Sequence, residues 1–170
     1  MTVMPIITDD IAHFTKPCEE FDFNGIFNAS QLARDLVDTM YHYNGLGVAA
    51  NQVGLPYRVF AMRGDPVNFV CFNPVIVQTG VEEIELEESC LSFPGLIVNI
   101  KRPRNIRVRF FGPDNEQHIH DWGGFTARIV LHEMDHLNGK LFYNRVSKYH
   151  RDKAFKNRRP ISRQENEVNT

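Results

Sequence analysis

The 170-residue chain has only three cysteines, Cys18, Cys71 and Cys90, and no Cys-x-x-Cys pair. An odd, widely spaced set in a chain of this size implies no disulfide framework, and a cytoplasmic, reducing compartment is expected. No apolar run approaches the roughly 18 residues that span a bilayer. The first ten residues end in Asp9-Asp10 and lack a basic region followed by an apolar one, so no signal peptide is read. Neither sign of charge prevails: 19 Lys and Arg against 21 Asp and Glu leave −2, which argues against DNA or a membrane surface as a partner. Repeats and low-complexity blocks are missing. Neither a Gly-Lys-Ser/Thr ending nor a Gly-x-Gly-x-x-Gly fingerprint occurs, which excludes the common nucleotide sites. What is there, 42% hydrophobic and 24% charged residues, suits one globular domain that buries its core without covalent help.

Residues 1 to 27 read as irregular, broken by Pro5, Pro17 and Gly25. A helix is predicted from about Asn28, with Gln31 as the partner in a variant capping box, to Tyr43; Leu32, Leu36, Met40 and Tyr43 line its core face and Asn44-Gly45 end it. The small-residue stretch Gly45 to Gln52 reads either as a tight turn or as a backbone that something approaches closely. The period then changes to two. Short strands are expected at 57–62, 69–72, 75–77, 81–86, 96–100, 106–111 and 117–120. The fold class that follows is α+β: short, mainly antiparallel sheets packed around a late helix, plus an N-terminal helix.

Five of the seven residues from Glu82 to Glu88 are Glu. In a strand, Ile84, Leu86 and Glu88 face inward, and Cys90 continues that parity. An inward carboxylate needs a cation, and Arg102 is the candidate; the alternative is a strand that stops at Leu86 and leaves Glu88 in water.

The chemistry concentrates in His-Glu-Met-Asp-His, residues 132 to 136. Phe125, Ile129, His132 and His136 keep helical spacing, Gly123-Gly124 precede the segment and Asn138-Gly139 offer a left-handed stop. Four residues make about one turn, so His132 and His136 stand one above the other and can grip one metal ion, with Glu133 beside them to handle protons. Cys90 is the third ligand of choice. A thiolate and two neutral imidazoles leave one coordination position for water, the catalytic arrangement. Cys18 and Cys71 read as small buried hydrophobes. His118 and His120 share a strand face and read as exposed strand residues.

Three motifs resemble those of the peptide deformylase family, in the family's order. Gly45-Leu46-Gly47-Val48-Ala49-Ala50-Asn51-Gln52 matches the first. Glu88-Ser89-Cys90-Leu91-Ser92 matches the second at four of five positions, with Ser89 where the family prefers Gly. His132-Glu133-Met134-Asp135-His136 matches the third in full. Lys16-Pro17, Arg102-Pro103 and residues 137–142 resemble weaker features, and the likeness covers roughly residues 5 to 145. The resemblance implies removal of the N-formyl group from N-formyl-methionyl nascent peptides. It implies a metal held by Cys90, His132 and His136, usually Fe(II), with Zn(II), Ni(II) or Co(II) able to substitute. It implies Glu133 as the proton carrier, and the Gln52 amide and Leu91 N–H as donors to the formyl oxygen. Backbone of Gly45, Leu46, Gly47 and Val48 is then expected to hold the extended substrate as an added strand. Helical spacing places Phe125 and Ile129 as walls of a methionine pocket. If position 89 needs a positive φ or close substrate approach, Ser89 alters substrate fit. Leu131, where Gln is common, sits off the metal-facing stripe.

Beyond Gly139 the chain turns basic. Arg145, Lys148, Arg151, Lys153, Lys156, Arg158 and Arg159 stand against one acid, Asp152. A single metallohydrolase domain is expected over 1–147 and a basic, then polar, tail over 148–170, with Pro160 stopping any helix. The tail is either a ribosomal RNA contact or a solvated appendage. Two other functions fit parts of the sequence: a zinc peptidase of the His-Glu-x-x-His type, or a protein that binds formylated chain ends without turnover. The peptidase class takes its third ligand downstream, where only His150, Asp152, Glu165 and Glu167 remain; intact Glu133 and Gln52 argue against the second.

Overall fold

The computed structural model describes residues 2–159. The stretch read as irregular contains one turn of helix, α1 (Ile11–Phe14), capped by Asp10 through the His13 N–H. Helix α2 (Ala29–His42) starts at the predicted cap, where Asn28 Oδ1 accepts from the Gln31 N–H at 2.9 Å. Thr39 joins the buried Leu32, Leu36 and Met40 on its inner face. Asn44, at φ +53°, makes the left-handed turn behind it.

Strands β1 (Gly47–Ala49), β2 (Val59–Met62) and β3 (Phe69–Thr79) follow, with a 3-10 turn at Ala50–Val53 between the first two. The two runs expected at 69–72 and 75–77 are one strand. Its register shifts after Phe72, where Asn73 has φ +49° and Pro74 follows. A bulge is where a strand tolerates proline. Strands β4 (Glu83–Cys90), β5 (Phe93–Pro103), β6 (Asn105–Phe111) and β7 (Gln117–Gly123) complete the set. Five strands form one sheet in the order β1-β2-β3-β6-β7, and β4 pairs with β5 in a second. Every strand pairing is antiparallel.

Helix α3 (Gly124–Leu137) carries the His-Glu-Met-Asp-His segment and ends before Gly139, at φ +65°. It packs against strands of both sheets. Alternation along β2 explains the layering. Val59 and Ala61 join the core under α2, whereas Phe60 and Met62 join the core under α3, so β2 is buried on both faces. A third cluster joins Cys90, Phe93, Leu96, Val98 and Ile100 to Phe14 and to Leu141, Phe142 and Tyr143. Helix α4 (Lys148–Lys156) packs on β5, with Phe155 edge-on to Tyr143 at 5.0 Å between ring centres. The stretch 160–170, read as a polar tail behind Pro160, lies outside the described residues.

Leu36 is fully buried between α2 and the five-stranded sheet. Leu36→Ala removes its methyl groups without room for collapse, and is expected to cost about 2–5 kcal/mol in urea unfolding at unchanged m-value.

Candidate metal centre and active site

Strand β4 runs on past Leu86 through Cys90, so the alternative of a solvated Glu88 fails. Leu86 is the partly exposed residue, and Glu88 and Cys90 are buried. The register Ile84↔Arg102 puts Arg102 on the adjacent strand β5. Its Nε donates to Glu88 Oε1 at 2.6 Å and Nη2 to Oε2 at 2.7 Å. The third nitrogen, Nη1, donates to Asp135 Oδ2 at 2.8 Å. Sequence reasoning missed Arg128, which is one turn before His132. It is buried and donates to Glu88 Oε1 and to the carbonyls of Ile100 and Ile84. The signal was available: a cation at i−4 from a metal-facing histidine shares its helix face.

Glu88 is held well below the usual carboxylate range. Burial alone would raise it, and its bonds to Arg102 and His132 outweigh burial. It thus stays an acceptor, and its Oε2 lies 2.9 Å from His132 Nδ1. In the neutral ring that bond keeps the proton on Nδ1 and leaves the Nε2 lone pair for a metal, which would displace the proton that Nε2 carries in the charged form.

His132 and His136 stand one turn apart on α3 and meet edge-on, with ring centres 5.2 Å apart. Cys90 Sγ lies 3.2 Å from His136 Nε2. One ligand atom from each of Cys90, His132 and His136 falls within 4.8 Å of the others, and all three residues are buried. Metal–sulfur and metal–nitrogen bonds of ~2.3 and ~2.1 Å imply ligand edges of about 3.5 Å in a tetrahedron, so small side-chain shifts seat a divalent ion. The electrostatics also favour a cation. Burial should depress both rings. His136 does fall well below the ordinary histidine value, helped by the charge on His132, yet bonds to Cys90 and Glu88 lift His132 well above it.

Glu133, next to His132 on α3, is buried as well. Burial pushes it up to about 7, with the His132 charge opposing. Its Oε2 is buried without a hydrogen-bond partner. Its Oε1 lies 2.5 Å from where a Cβ on Gly47 would sit, and Ile129 Cγ2 lies 3.0 Å from the same point. Gly45 has a similar problem, its Cβ meeting Leu91 Cδ1 at 2.9 Å. Neither glycine has a positive φ. The small residues of this motif therefore provide space, not backbone freedom.

The 3-10 turn behind β1 aims Gln52. Its Oε1 accepts from the Ala49 N–H at 2.9 Å, which commits the amide's orientation. Nε2 then faces Ser92 Oγ at 3.0 Å and Cys90 Sγ at 3.6 Å. Leu91 follows Cys90 directly. Ser89 is exposed at the register shift between Glu88 and Cys90, and it has no positive φ; the left-handed backbone considered for that position is not used. Phe125 is 55% exposed at the start of α3, and Leu131 belongs to the core on the far side from the ligands.

Other expectations are met more plainly. Cys71 is buried, and burial raises its thiol well above the ordinary value; Cys18 is half-buried and pushed up to about 11. His118 and His120 share a strand face as expected but are half-buried and not exposed, because Phe110, Phe69 and Trp122 pack against them. Among the described residues, Cys90, His132 and His136 form the group that can hold a metal. His150 and Asp152 lie exposed on α4, so nothing described downstream of His136 supplies the peptidase type of third ligand.

The family model described as Polypeptide deformylase matches residues 3–152. The chain belongs to the peptide deformylase family. The peptide deformylase of Brucella suis is 36% identical over 172 residues, covering 96% of both chains, and that of Thermotoga maritima is 38% identical over 132 residues, covering 78% of each. A Legionella pneumophila peptide deformylase structure superposes with a TM-score of 0.84 at 28% identity, covering 92% of this chain and 93% of that one. One from Synechococcus elongatus, in complex with actinonin, gives 0.83 at 28% identity, covering 93% and 91%. The enzyme is thus a metal-dependent hydrolase of protein biosynthesis that removes the N-formyl group from nascent polypeptides.

Glu88→Gln keeps the shape and removes the charge that both arginines and His132 Nδ1 use. It is expected to weaken metal binding about 10–100-fold in chelator competition. It is also expected to destabilise the fold by about 3–5 kcal/mol, because it strands two buried guanidiniums.

Proposed function

We propose that Cys90, His132 and His136 hold the catalytic ion of this deformylase and that Glu133 carries the proton. The supporting observations are a buried sulfur and two ring nitrogens within reach of one another and, on the residue next to His132, a buried carboxylate oxygen that has no hydrogen-bond partner. When bound, a divalent ion acidifies water enough to supply the nucleophile at neutral pH. Glu133 accepts a proton from the attacking water and returns it to the departing amine; a pKa close to 7 suits both directions. Gln52 Nε2 donates to the formyl oxygen as charge develops there, its direction set by the Ala49 N–H on the other end of the amide. The Leu91 N–H is the second donor.

The substrate lies along β1. That strand is at the edge of its sheet, so backbone groups of Gly45, Leu46, Gly47 and Val48 on the side away from β2 can pair with an extended peptide. Ile129, against Gly47 and Glu133, and the exposed Phe125 wall the methionine side chain. Fe(II) is the ion we assign; a thiolate with two imidazoles accepts it, and Zn(II), Ni(II) or Co(II) as well. Residues 1–147 form the catalytic domain, and the basic stretch from Lys148 is a docking element for the ribosome. The free thiols of Cys18, Cys71 and Cys90 support a cytoplasmic setting.

Formate release from formyl-Met-Ala by anaerobically purified enzyme, with elemental analysis, tests the assignment. Activity is expected to vanish with chelator, to decay in air and to return with Ni(II) or Co(II). Glu133→Gln should retain metal yet lose about 10²–10⁴ in kcat; a variant that keeps full turnover removes Glu133 from the mechanism. Peptide-bond cleavage would instead mark a peptidase, and binding without formate a non-catalytic binder.

For the tail, Lys153→Glu with Lys156→Glu, both exposed on α4, should weaken ribosome co-sedimentation and flatten its salt dependence. Equal affinity for wild type and variant at every salt concentration would remove the docking role.

A further inference from the structure

The buried charges do not stop at Glu88. Asp135 takes Arg102 Nη1 on Oδ2, and Arg145 grips both oxygens of the same carboxylate through Nε and Nη2. Asp135 is buried, whereas the Arg145 side chain is 38% exposed. Charges of alternating sign therefore run from the surface to a metal-facing ring: Arg145, Asp135, Arg102, Glu88, His132. Arg145 closes the 3-10 helix Phe142–Arg145, whose first residue lays its ring 5.2 Å from that of His132. One short helix thus touches the metal helix twice, once by packing and once by charge.

We propose that Arg145 is a positioning residue for the metal centre, holding the His132 imidazole in place through Asp135, Arg102 and Glu88. The inference rests on the ligand assignment made above. The physical reason is competition for one guanidinium. Arg102 divides its three donor nitrogens, two for Glu88 and one for Asp135. While Arg145 satisfies Asp135, Arg102 stays square on Glu88. Without Arg145, Asp135 Oδ1 loses the partner that the structure gives it, and a buried carboxylate in that position draws Arg102 toward itself. The pair on Glu88 lengthens, and the acceptor of the His132 Nδ1 proton moves. Asp135 also directly precedes His136, so its displacement reaches the second ring through the helix.

Arg145→Gln and Arg145→Lys separate positioning from plain stability. In Arg145→Gln, metal loss from the holoenzyme to excess chelator is expected to run about tenfold faster. The thiolate-to-metal absorption band of the Co(II)-loaded protein should shift. With formyl-Met-Ala, kcat should fall about fivefold while KM stays within about twofold. Arg145→Lys restores the charge but not the fork, and should recover part of each change. All readings are made well below the melting temperature of each variant, recorded in parallel. A lowered melting temperature with wild-type metal-loss rate, cobalt spectrum and kcat would overturn the proposal and leave Arg145 a structural ion pair. A wild-type chain that takes up no ion through Cys90, His132 and His136 would remove the ligand assignment, and this inference with it.

Discussion

One carboxylate organises the centre of this enzyme. Glu88 sits where its strand's parity points it, among apolar residues, and an unpaired charge there would cost several kcal/mol. The chain answers with two arginines from different elements and one imidazole. That answer fixes the relative position of β4, β5 and α3 more tightly than hydrophobic packing does, because apolar contacts tolerate sliding and a forked guanidinium does not. The placement of the residues that can hold a metal follows: Cys90 is two residues along β4 from Glu88, and His132 lies against Glu88 from α3. The stability of the fold and the aim of the ligands therefore share the same interactions.

Space is the second constraint. The Glu133 carboxylate occupies the volume that a side chain on residue 47 would need, so β1 and the Glu133 carboxylate approach more closely than a Cβ at position 47 would allow without a shift of that carboxylate. The orientation of Gln52 is settled as firmly, because its carbonyl oxygen is already engaged by β1. Its amide nitrogen faces the site by elimination. Preorganisation of this kind leaves little to rearrange when charge develops on a substrate oxygen.

Much of this was legible in the sequence because it rests on local rules. The spacing of His132 and His136, the Asn28 cap and the inward parity of Glu88 and Cys90 follow from helical and strand periods alone. The resemblance to deformylases then joined three separated motifs into one site. What was not legible depends on register. Arg102 was recognisable as a partner, yet its place on the neighbouring strand required knowing that Phe93 to Pro103 runs unbroken. Arg128 went unremarked, although its place one turn before His132 puts it on the same face of α3; that Glu88 and two carbonyls of the second sheet meet it there needs the folded chain. The role of Asp135 was likewise hidden, because its partners Arg102 and Arg145 come from segments that meet only in the folded chain. The stretch around Gly47 was read either as a tight turn or as a place of close approach, and only the fold shows that the Glu133 carboxylate is what comes close to Gly47. Strand β3 was divided in two because Pro74 usually ends a strand, and here a bulge accommodates it.

The ligands also come from opposite sides of a seam. Cys90 belongs to the two-stranded sheet, and the histidines belong to the helix that backs the larger one. An ion bonded to both would be a clasp between layers, closing a loop of about forty residues of the unfolded chain as a disulfide does. In a protein whose cysteines carry free thiols, an ion held there would take over the stapling that oxidised sulfur performs elsewhere, and its release would loosen the architecture along with the activity.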